Sequence, residues 1–323
     1  MSKVRVDQLS PTDDSLTVNV KDLQLVNNLV TESANLPNGM VNISQAVSER
    51  IAALSSNTVR FCTWNIQGYY IVANENSPEA GDTVDTSRFQ LDVSSAQRIR
   101  EQIEWILRIG ADFIGMQEIY VGVDSIVYGK GISSCGSIWE MYPYISSYLG
   151  IDSYLQDSLY TGNPGGNLSL STRPLVNATE TLMPGSGIPG HSAYNNVSRV
   201  EITVNGVIIA VYNTHLSIDF PTIDLQIARI AALIDADTAT HIVLMGDWNN
   251  NDDSVYQPFI DRGFTMVNKN GELGTYNGGH AEWGQWYLDR IFHRGFSAQG
   301  NYGVLTPPRE LGDHKPLFVD LTI

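Results

Sequence analysis

The chain has 323 residues, of which 42% are apolar and 17% charged, and its formal net charge at pH 7 is −16. This length allows one large domain with an appendage, and the acidic balance argues against a broad basic surface for nucleic acid. The charge does not exclude a nuclease, because a bound metal ion and a few arginines can neutralise phosphate at the point of cleavage.

The start of the chain lacks the pattern of a secretory signal peptide, and no apolar run is long enough to cross a membrane. An extracellular site of action would therefore need another delivery route, such as incorporation into a larger particle. The two cysteines, Cys62 and Cys135, have no metal-ligand spacing. Cys62 lies in an apolar run, which is typical of a small core residue.

Residues 1–57 are rich in Ser, Asn, Asp and Thr and differ from the regular pattern that follows. Within them, residues 44–54 predict a short helix with one apolar stripe. A three-turn helix is marginal on its own, so we expect the stripe to pack on the main domain or on another subunit. We therefore predict an N-terminal docking or oligomerisation segment at 1–57 and a main domain at 58–323.

The sequence of the main domain predicts strands, one hairpin and a few helices. Residues 120–160 are rich in Gly, Ser and Tyr and are predicted to be loops that cover the site. Asn205-Gly206 joins two alternating segments and is the strongest short hairpin signal. We predict strands at 59–66, 112–116, 167–171, 199–204, 207–214, 241–245, 286–292 and 317–323, and helices at 96–109 and 223–234. This succession favours a two-layer or sandwiched α/β domain over a strictly alternating parallel sheet.

Polar side chains repeatedly follow the predicted strands. A single polar residue in this position is usually a cap or the start of a loop. A whole set with metal-binding and proton-transferring side chains is harder to explain in that way, and strand ends on one sheet edge lie close in space. The set comprises Asn65, Glu118, His215, Asp247, Asn249, Asp289, Asp313 and His314.

This set suits metal-assisted attack on a phosphate ester. Mg²⁺ or Mn²⁺ favours carboxylate and amide oxygens and neutralises phosphoryl oxygens. Glu118 is the best metal ligand, supported by Asn65. Asp313 is either a further ligand or the carboxylate that orients the His314 imidazole. His314 could then remove a proton from the attacking water.

The remaining members of the set have roles that the same chemistry suggests. His215 could stabilise the transition state or protonate the leaving oxygen, and Asp247 and Asn249 could hold the water and the phosphate. Asp289 could orient His215 or stabilise the pocket. Structural alternatives stay open: a loop hydrogen bond for His215, a helix cap for Asp247, and an ion pair with Arg290 for Asp289.

Seven short segments, TWNIQG, ADFIGMQE, GNLSLSTRP, NTHL, GDWN, LDRIF and GDHKP, occur in an order that resembles the endonuclease/exonuclease/phosphatase superfamily, also called the DNase I-like fold. The resemblance implies a four-layer αββα sandwich with a short N-terminal appendage. It also implies a Mg²⁺-dependent phosphoesterase, with His314 as base, Asp313 as its partner and Asp289 near His215. The histidine of NTHL is similar to that of the two-histidine members, which include nucleases, sphingomyelinase-like enzymes and inositol phosphatases.

Two further residues are candidates through this resemblance, and two departures accompany them. Arg199 opens the hairpin before His215 and is expected either to contact phosphate or to be a surface residue. Asn167 is expected either to line the pocket or to serve a turn, because Gly165-Gly166-Asn167 stands where some nucleases carry another acidic residue. Gly-Asp-His also replaces the more usual Ser-Asp-His of the superfamily.

The first residues, VDQLSPTDDSLTVNVKDL, look like the N-terminal docking segments of bacteriophage tail fibres and spikes. This resemblance implies a virion-associated protein that acts extracellularly or at the host surface, with tail proteins as partners and a possible homo-oligomer. The substrate stays open between DNA and a phosphodiester in an envelope glycan or lipid. The alternative function is a virion structural or receptor-binding protein with a non-catalytic domain.

Overall fold

A computed structural model describes residues 57–66, 108–120, 152–156, 165–185, 195–218, 220–276, 286–307 and 311–323, together with the helical residues 102, 105 and 106. The segment 1–56, with its predicted helix, lies outside the described residues. Within the described ranges, no helix combines the length and apolar character needed to cross a bilayer.

The described residues form two six-stranded sheets. The strands are β1 (Thr58–Asn65), β2 (Phe113–Tyr120), β3 (Asp152–Gln156), β4 (Gly165–Ser171), β5 (Val176–Leu182), β6 (Asn196–Val204), β7 (Val207–His215), β8 (His241–Asp247), β9 (Thr265–Val267), β10 (Asp289–Arg294), β11 (Ala298–Val304) and β12 (Leu317–Thr322). Helix α1 (Phe220–Ala236) connects β7 to β8, and a single turn, α2 (Gln257–Ile260), follows β8.

Both sheets are mixed. The first has the order β11-β12-β1-β2-β4-β3 and the second β5-β6-β7-β8-β10-β9. The pairs β1–β2 and β7–β8 are parallel, whereas the other described pairs are antiparallel. Each parallel pair places two carboxyl ends side by side, so polar residues that follow these strands meet at one edge.

Side chains alternate between the two faces of each sheet and form three hydrophobic clusters, one between the sheets and one on each outer face. Apolar residues such as Phe61, Val211 and Ile291 fill the space between the sheets. The outer face of the second sheet packs on α1 and α2, and the outer face of the first packs on Ile106 and Ile109 of the helical segment. Two central sheets with helices outside them confirm the expected four-layer αββα sandwich.

The structure confirms the predicted strands within a few residues at each end, and it confirms the Asn205-Gly206 hairpin, where both residues have positive φ. The prediction that 120–160 is all loop was wrong, since 152–156 forms β3. Strands β5, β9 and β11 were not predicted. β5 is an edge strand whose residues are almost all exposed, and β11 is a largely exposed edge strand, so neither shows the alternation that marks a half-buried strand.

The end of α1 is fixed to the second sheet by an ion-pair network. The Arg199 guanidinium donates to both carboxylate oxygens of Asp237, at 2.6 and 2.9 Å, and the Tyr212 hydroxyl donates to the same carboxylate at 2.6 Å. Burial alone would raise the pKa of Asp237. The hydrogen bonds from Arg199, Tyr212 and the Ala239 amide outweigh it and hold the pKa below its ordinary value.

We therefore expect Asp237→Asn to lower the free energy of unfolding at pH 7 by about 2–3 kcal/mol. Because the folded-state pKa is depressed, this stabilisation is fully present above the unfolded pKa of about 3.9 and is lost as the pH falls through the folded value. Urea denaturation of both proteins from pH 7 to pH 3 measures the difference. Asp235→Asn is the matched control, because Asp235 lies near the end of α1 and forms an exposed ion pair with Arg262, which follows α2. This change should alter the free energy of unfolding little. A pH-independent difference would contradict the network.

Candidate active site

The ends of four strands place polar side chains together at one edge of the sandwich. In the second sheet, Asp247 of β8 is in register with His215 of β7 on one side and with Asp289 of β10 on the other. Asn65 ends β1 in the first sheet, and its side chain reaches Asp247 across the gap between the sheets. The strand-end residues predicted from sequence therefore converge.

Asn65 joins the two sheets at the centre of the site. Its Nδ2 donates one hydrogen bond to Glu118 Oε1 at 2.9 Å and another to Asp247 Oδ2 at 3.0 Å. Asn65 and Asp247 are almost fully buried. A neutral amide thus separates two carboxylates and fixes the position of each.

Glu118 owes its direction to a bulge in β2. Met116 pairs with Leu168 of β4 and Ile119 pairs with Gly166, so two residues oppose one at this point. Alternation alone would send Glu118 to the outer face with Met116. A φ of 55° at Glu118 turns the side chain towards Asn65 instead. Bulges that re-aim a side chain are common next to active sites.

In the Gly-Asp-Trp-Asn segment, Trp248 and Asp247 point to opposite faces of the second sheet. The Trp248 ring packs edge-on against Tyr256, Phe259 and Phe292 in the outer core, which leaves Asp247 on the side of the site. Gly246 has a φ of 151°, and a Cβ there would lie 1.9 Å from the carbonyl oxygen of Thr214. Only glycine fits this close approach of β8 to β7.

Asn249 continues this segment in a left-handed conformation, with a φ of 50°. Its backbone N–H donates to Asp247 Oδ1 at 3.0 Å, and its side-chain Nδ2 donates to the Leu216 carbonyl at 2.8 Å. The Asp247 carboxylate is therefore held from both sides, by this amide and by Asn65. Asn249 also ties the loop after β8 to the loop after His215.

His314 is the most buried histidine of the site, and Asp289 is its partner. Its Nδ1 lies 2.8 Å from Asp289 Oδ2, whereas its Nε2 lies 3.6 Å from Asp247 Oδ2 and 4.0 Å from Asp313 Oδ1. The prediction that Asp313 orients His314 was therefore wrong, and so was the pairing of Asp289 with His215. Asp289 accepts the Nδ1 hydrogen, which leaves Nε2 facing the other carboxylates.

The surrounding charges determine how these groups titrate. Burial alone would lower the pKa of His314, but the negative charges of Asp289, Asp247 and Asp313 outweigh it and raise the pKa well above its ordinary value. Burial also acts against ionised Asp247, yet His314, His215 and the hydrogen bonds from Asn65 and Asn249 hold its pKa below the usual range. The site therefore favours a charged imidazolium beside an ionised carboxylate.

His215 stands on the other side of Asp247. Its Nε2 lies 3.5 Å from Asp247 Oδ2, and a quarter of its side chain is exposed. Behind it, the Asn195 side chain donates to the His215 carbonyl at 2.7 Å, and the Gln226 side chain bonds both Asn195 and the Ser217 amide. Asp247 thus lies between two histidines, with its Oδ2 3.5 Å from His215 Nε2 and 3.6 Å from His314 Nε2.

The two predicted substrate-binding residues differ in their placement. Asn167 lies in β4 opposite the bulge that holds Glu118, and its Nδ2 donates to Asn196 Oδ1 at 3.1 Å. Arg199 does not join the site, because it bonds Asp237 and Glu201 on the face of the sheet that packs on α1. The proposed phosphate contact by Arg199 was therefore wrong, and a contact by Asn167 stays a prediction.

The acidic groups fit a divalent cation. Glu118 Oε2 is buried without a hydrogen-bond partner, so the carboxylate has a free ligand oxygen. Burial raises the pKa of Asp313 to about 6, and the negative charge of Glu118 contributes to this rise. The oxygens of Asp247 and Asp289 and a nitrogen of His314 also lie within 4.8 Å of one another, a spacing that could hold a metal ion.

A sequence model of the endonuclease/exonuclease/phosphatase family matches residues 62–314, a range that begins in β1 and ends at His314. The chain belongs to this family. The match spans most of the chain, and its members hydrolyse phosphoesters. No curated protein sequence matches the chain significantly.

Solved structures share the same fold at low sequence identity. An endonuclease/exonuclease/phosphatase from Beutenbergia cavernae is 17% identical, with a TM-score of 0.57 over 82% of this chain and 72% of that chain. D. rerio TDP2, complexed with a single-strand DNA product, is 13% identical, with a TM-score of 0.55 over 82% and 99%. A Bacteroides thetaiotaomicron mannosyl-6-phosphatase is 15% identical, with a TM-score of 0.57 over 82% and 100%. These structures show that the chain shares their fold.

Some residues that shape the site were missed from sequence. Gln117 and Asn213 lie within the segments ADFIGMQE and NTHL, but neither was assigned a role. Thr275, whose hydroxyl accepts the Asp289 amide hydrogen at 3.1 Å, lies outside any recognised segment. The first two could have been found as polar residues within otherwise buried strands, whereas no local signal marks Thr275.

Proposed function

We propose that this protein is a phosphodiesterase that requires a divalent cation, Mg²⁺ or Mn²⁺. The observation that carries the proposal is the placement of two histidines and the Asn65 amide around the Asp247 carboxylate, at one edge of a phosphoesterase fold. A binding domain has no need for a buried histidine that is oriented by a carboxylate and faces further carboxylates. Such an arrangement suits general acid–base chemistry.

Glu118 and Asp313, with Asn65 beside them, would hold the cation. When bound, it would neutralise the phosphoryl oxygens and favour a nucleophilic water. The uncompensated oxygen of Glu118 and the raised pKa of Asp313 support this choice of ligands. Asp247 is the next candidate, because its carboxylate accepts the other hydrogen of the same Asn65 amide.

The histidines divide the proton transfers between them. Asp289 fixes one proton of His314 on Nδ1. A cation bound beside it would offset the carboxylate charge that raises the pKa of His314, and Nε2 of the neutral imidazole would then accept a proton from the attacking water. His215, on the opposite side of Asp247 and partly exposed, would stabilise the transition state or protonate the leaving oxygen. Asp247 would orient both imidazoles and, with Asn249, would position the water and phosphate.

The substrate class is proposed from charge and from the neighbouring folds. The net charge of −16 favours a small phosphodiester, or one that carries sugar or lipid, over a long duplex. A structurally similar D. rerio protein was solved with a DNA product, and a Bacteroides protein is a sugar phosphatase. DNA and envelope phosphodiesters therefore both belong in the test.

We also propose delivery on a virion through residues 1–57, on the resemblance of this segment to phage tail docking segments. Deletion of residues 1–57 should abolish incorporation into phage particles while the remaining domain stays folded. Retained incorporation would contradict this role and would also remove support for the non-catalytic receptor-binding alternative.

The direct test of the proposed activity is a cleavage screen with added Mg²⁺ or Mn²⁺. We expect hydrolysis of bis-p-nitrophenyl phosphate and of at least one substrate among DNA, RNA, phospholipids and envelope polymers. Removal of the cation by EDTA should abolish it, and addition of excess cation should restore it. Inactivity of the wild-type protein across all cations and substrates would overturn the proposed function.

A further inference from the structure

Behind the site lies a polar cluster that connects the two sheets. We define it as Thr63, Gln117 and Asn213, all with 0% exposure. Gln117 Nε2 donates to Asn213 Oδ1 at 2.7 Å and to Thr63 Oγ1 at 3.1 Å. Most buried polar groups are hydrogen-bonded, and here the partners lie on different sheets. The cluster therefore couples the strands of Glu118 and His215.

Asn213 also fills the opening that the bulge makes in the first sheet. Its Nδ2 donates to the Met116 carbonyl at 3.3 Å and to the Leu168 carbonyl at 3.1 Å. These two residues form the last regular pair of β2 and β4 before the register shifts at Glu118. The carboxamide thus bonds backbone groups on both strands beside the bulge.

The chain makes room for this contact at Gly115. A Cβ on Gly115 would lie 2.8 Å from Asn213 Oδ1 and 2.7 Å from Met245 Sδ. The Asn213 carboxamide therefore occupies space that a side chain at position 115 would need. Asparagine suits this position because one side chain must accept from Gln117 and donate two hydrogens at the same time.

We propose that Asn213 is a positioning residue for Glu118: it reaches from the second sheet to stabilise the bulge that turns this carboxylate into the site. The inference rests on the proposed function, since it gives Glu118 a cation to bind. Asn213 contacts neither Glu118 nor His215 directly. It acts through the backbone of β2, and through its place two residues before His215 in β7.

The test measures cation binding apart from turnover. Mn²⁺ is titrated alone into the full-length protein, and free Mn²⁺ is followed by electron paramagnetic resonance. We expect Asn213→Ala to weaken Mn²⁺ binding by about 10-fold or more, because partners that orient a metal ligand typically contribute 10–100-fold. Turnover at saturating Mn²⁺ should fall less than the affinity does.

Ser169→Ala is the matched control. Ser169 lies in β4 within the same polar region, is almost fully buried, and its hydroxyl has no hydrogen-bond partner. Its removal should leave Mn²⁺ affinity unchanged. If Asn213→Ala lowers only the thermal midpoint and binds Mn²⁺ like wild type, Asn213 is merely structural and the inference fails.

Gln117→Met keeps the inference testable if Asn213→Ala does not fold. This change preserves side-chain volume and removes the donor to Asn213 but leaves the bulge carbonyls bonded. We expect a smaller loss of Mn²⁺ affinity, about 3-fold, in the same direction; an unchanged affinity would overturn the coupling. Absence of Mn²⁺ binding and of activity in the wild type would instead refute the proposed function, so the two failures are distinguishable.

Discussion

His314→Gln should lower kcat by about 10³- to 10⁴-fold with little loss of folded protein, because glutamine fills the space but cannot accept a proton from water. The imidazole is only 5% exposed and its Nδ1 is bonded to Asp289, so it is held in one orientation with Nε2 towards the site. Turnover of bis-p-nitrophenyl phosphate at saturating cation, compared by steady-state kinetics, measures the effect.

His293→Gln is the control for this substitution. His293 is also a buried histidine of the second sheet, with its Nε2 2.8 Å from Gln299 Oε1. Any general cost of losing a buried imidazole appears in both variants. Only His314→Gln should lose turnover, and comparable losses in the two variants would remove His314 from the catalytic group.

The sequence predicted most strand ends of the site because two independent signals agreed there. Apolar runs marked β1, β7 and β8, and each ends in a residue with a polar, chemically active side chain, namely Asn65, His215 and Asp247. Strands in the middle of a sheet must bury apolar residues, so their ends are visible in the pattern. The convergence of these residues followed from the parallel pairs, which bring carboxyl ends to one edge.

The direction of Glu118 could not be predicted in this way. Period-two alternation places Glu118 on the same face as Met116, which is the outer face. A bulge reverses this direction, and its stabilising contacts come from Asn213, nearly one hundred residues further along the chain. The sequence around Glu118 does not indicate such a distant contact. The strand β2 was therefore predicted, but its bulge was not.

The direction of the Arg199 side chain also could not be predicted from sequence. Its position at the start of a hairpin suggested a phosphate contact, but the register of β6 places it on the outer face with Tyr212, where Asp237 binds it. A strand residue one position away would face the space between the sheets. The face of a strand residue depends on register, and resemblance alone did not determine that register.

Asp289→Asn and Asp313→Asn together should decide which carboxylate serves His314. The sequence alone suggested Asp313, its neighbour in the chain, whereas the structure places Asp289 Oδ2 2.8 Å from Nδ1. An asparagine at 289 can donate its own hydrogen to Nδ1, which would move the imidazole proton to Nε2 and block proton acceptance. We expect kcat to fall by about 10³- to 10⁴-fold, as for other histidine–carboxylate pairs.

Asp313→Asn should behave differently, because Asp313 Oδ1 lies 4.0 Å from Nε2 and does not bond Nδ1. Burial raises its pKa to about 6, and the negative charge of Glu118 adds to this rise although His314 opposes it. We therefore propose Asp313 as a cation ligand beside Glu118. We expect apparent cation affinity to fall by about 10- to 100-fold, with a loss of kcat at saturating cation of no more than about 10-fold. Cation titrations of turnover for both variants separate the two effects. A larger loss of saturated kcat for Asp313→Asn than for Asp289→Asn would show that the neighbour in sequence, and not the partner in space, orients the base.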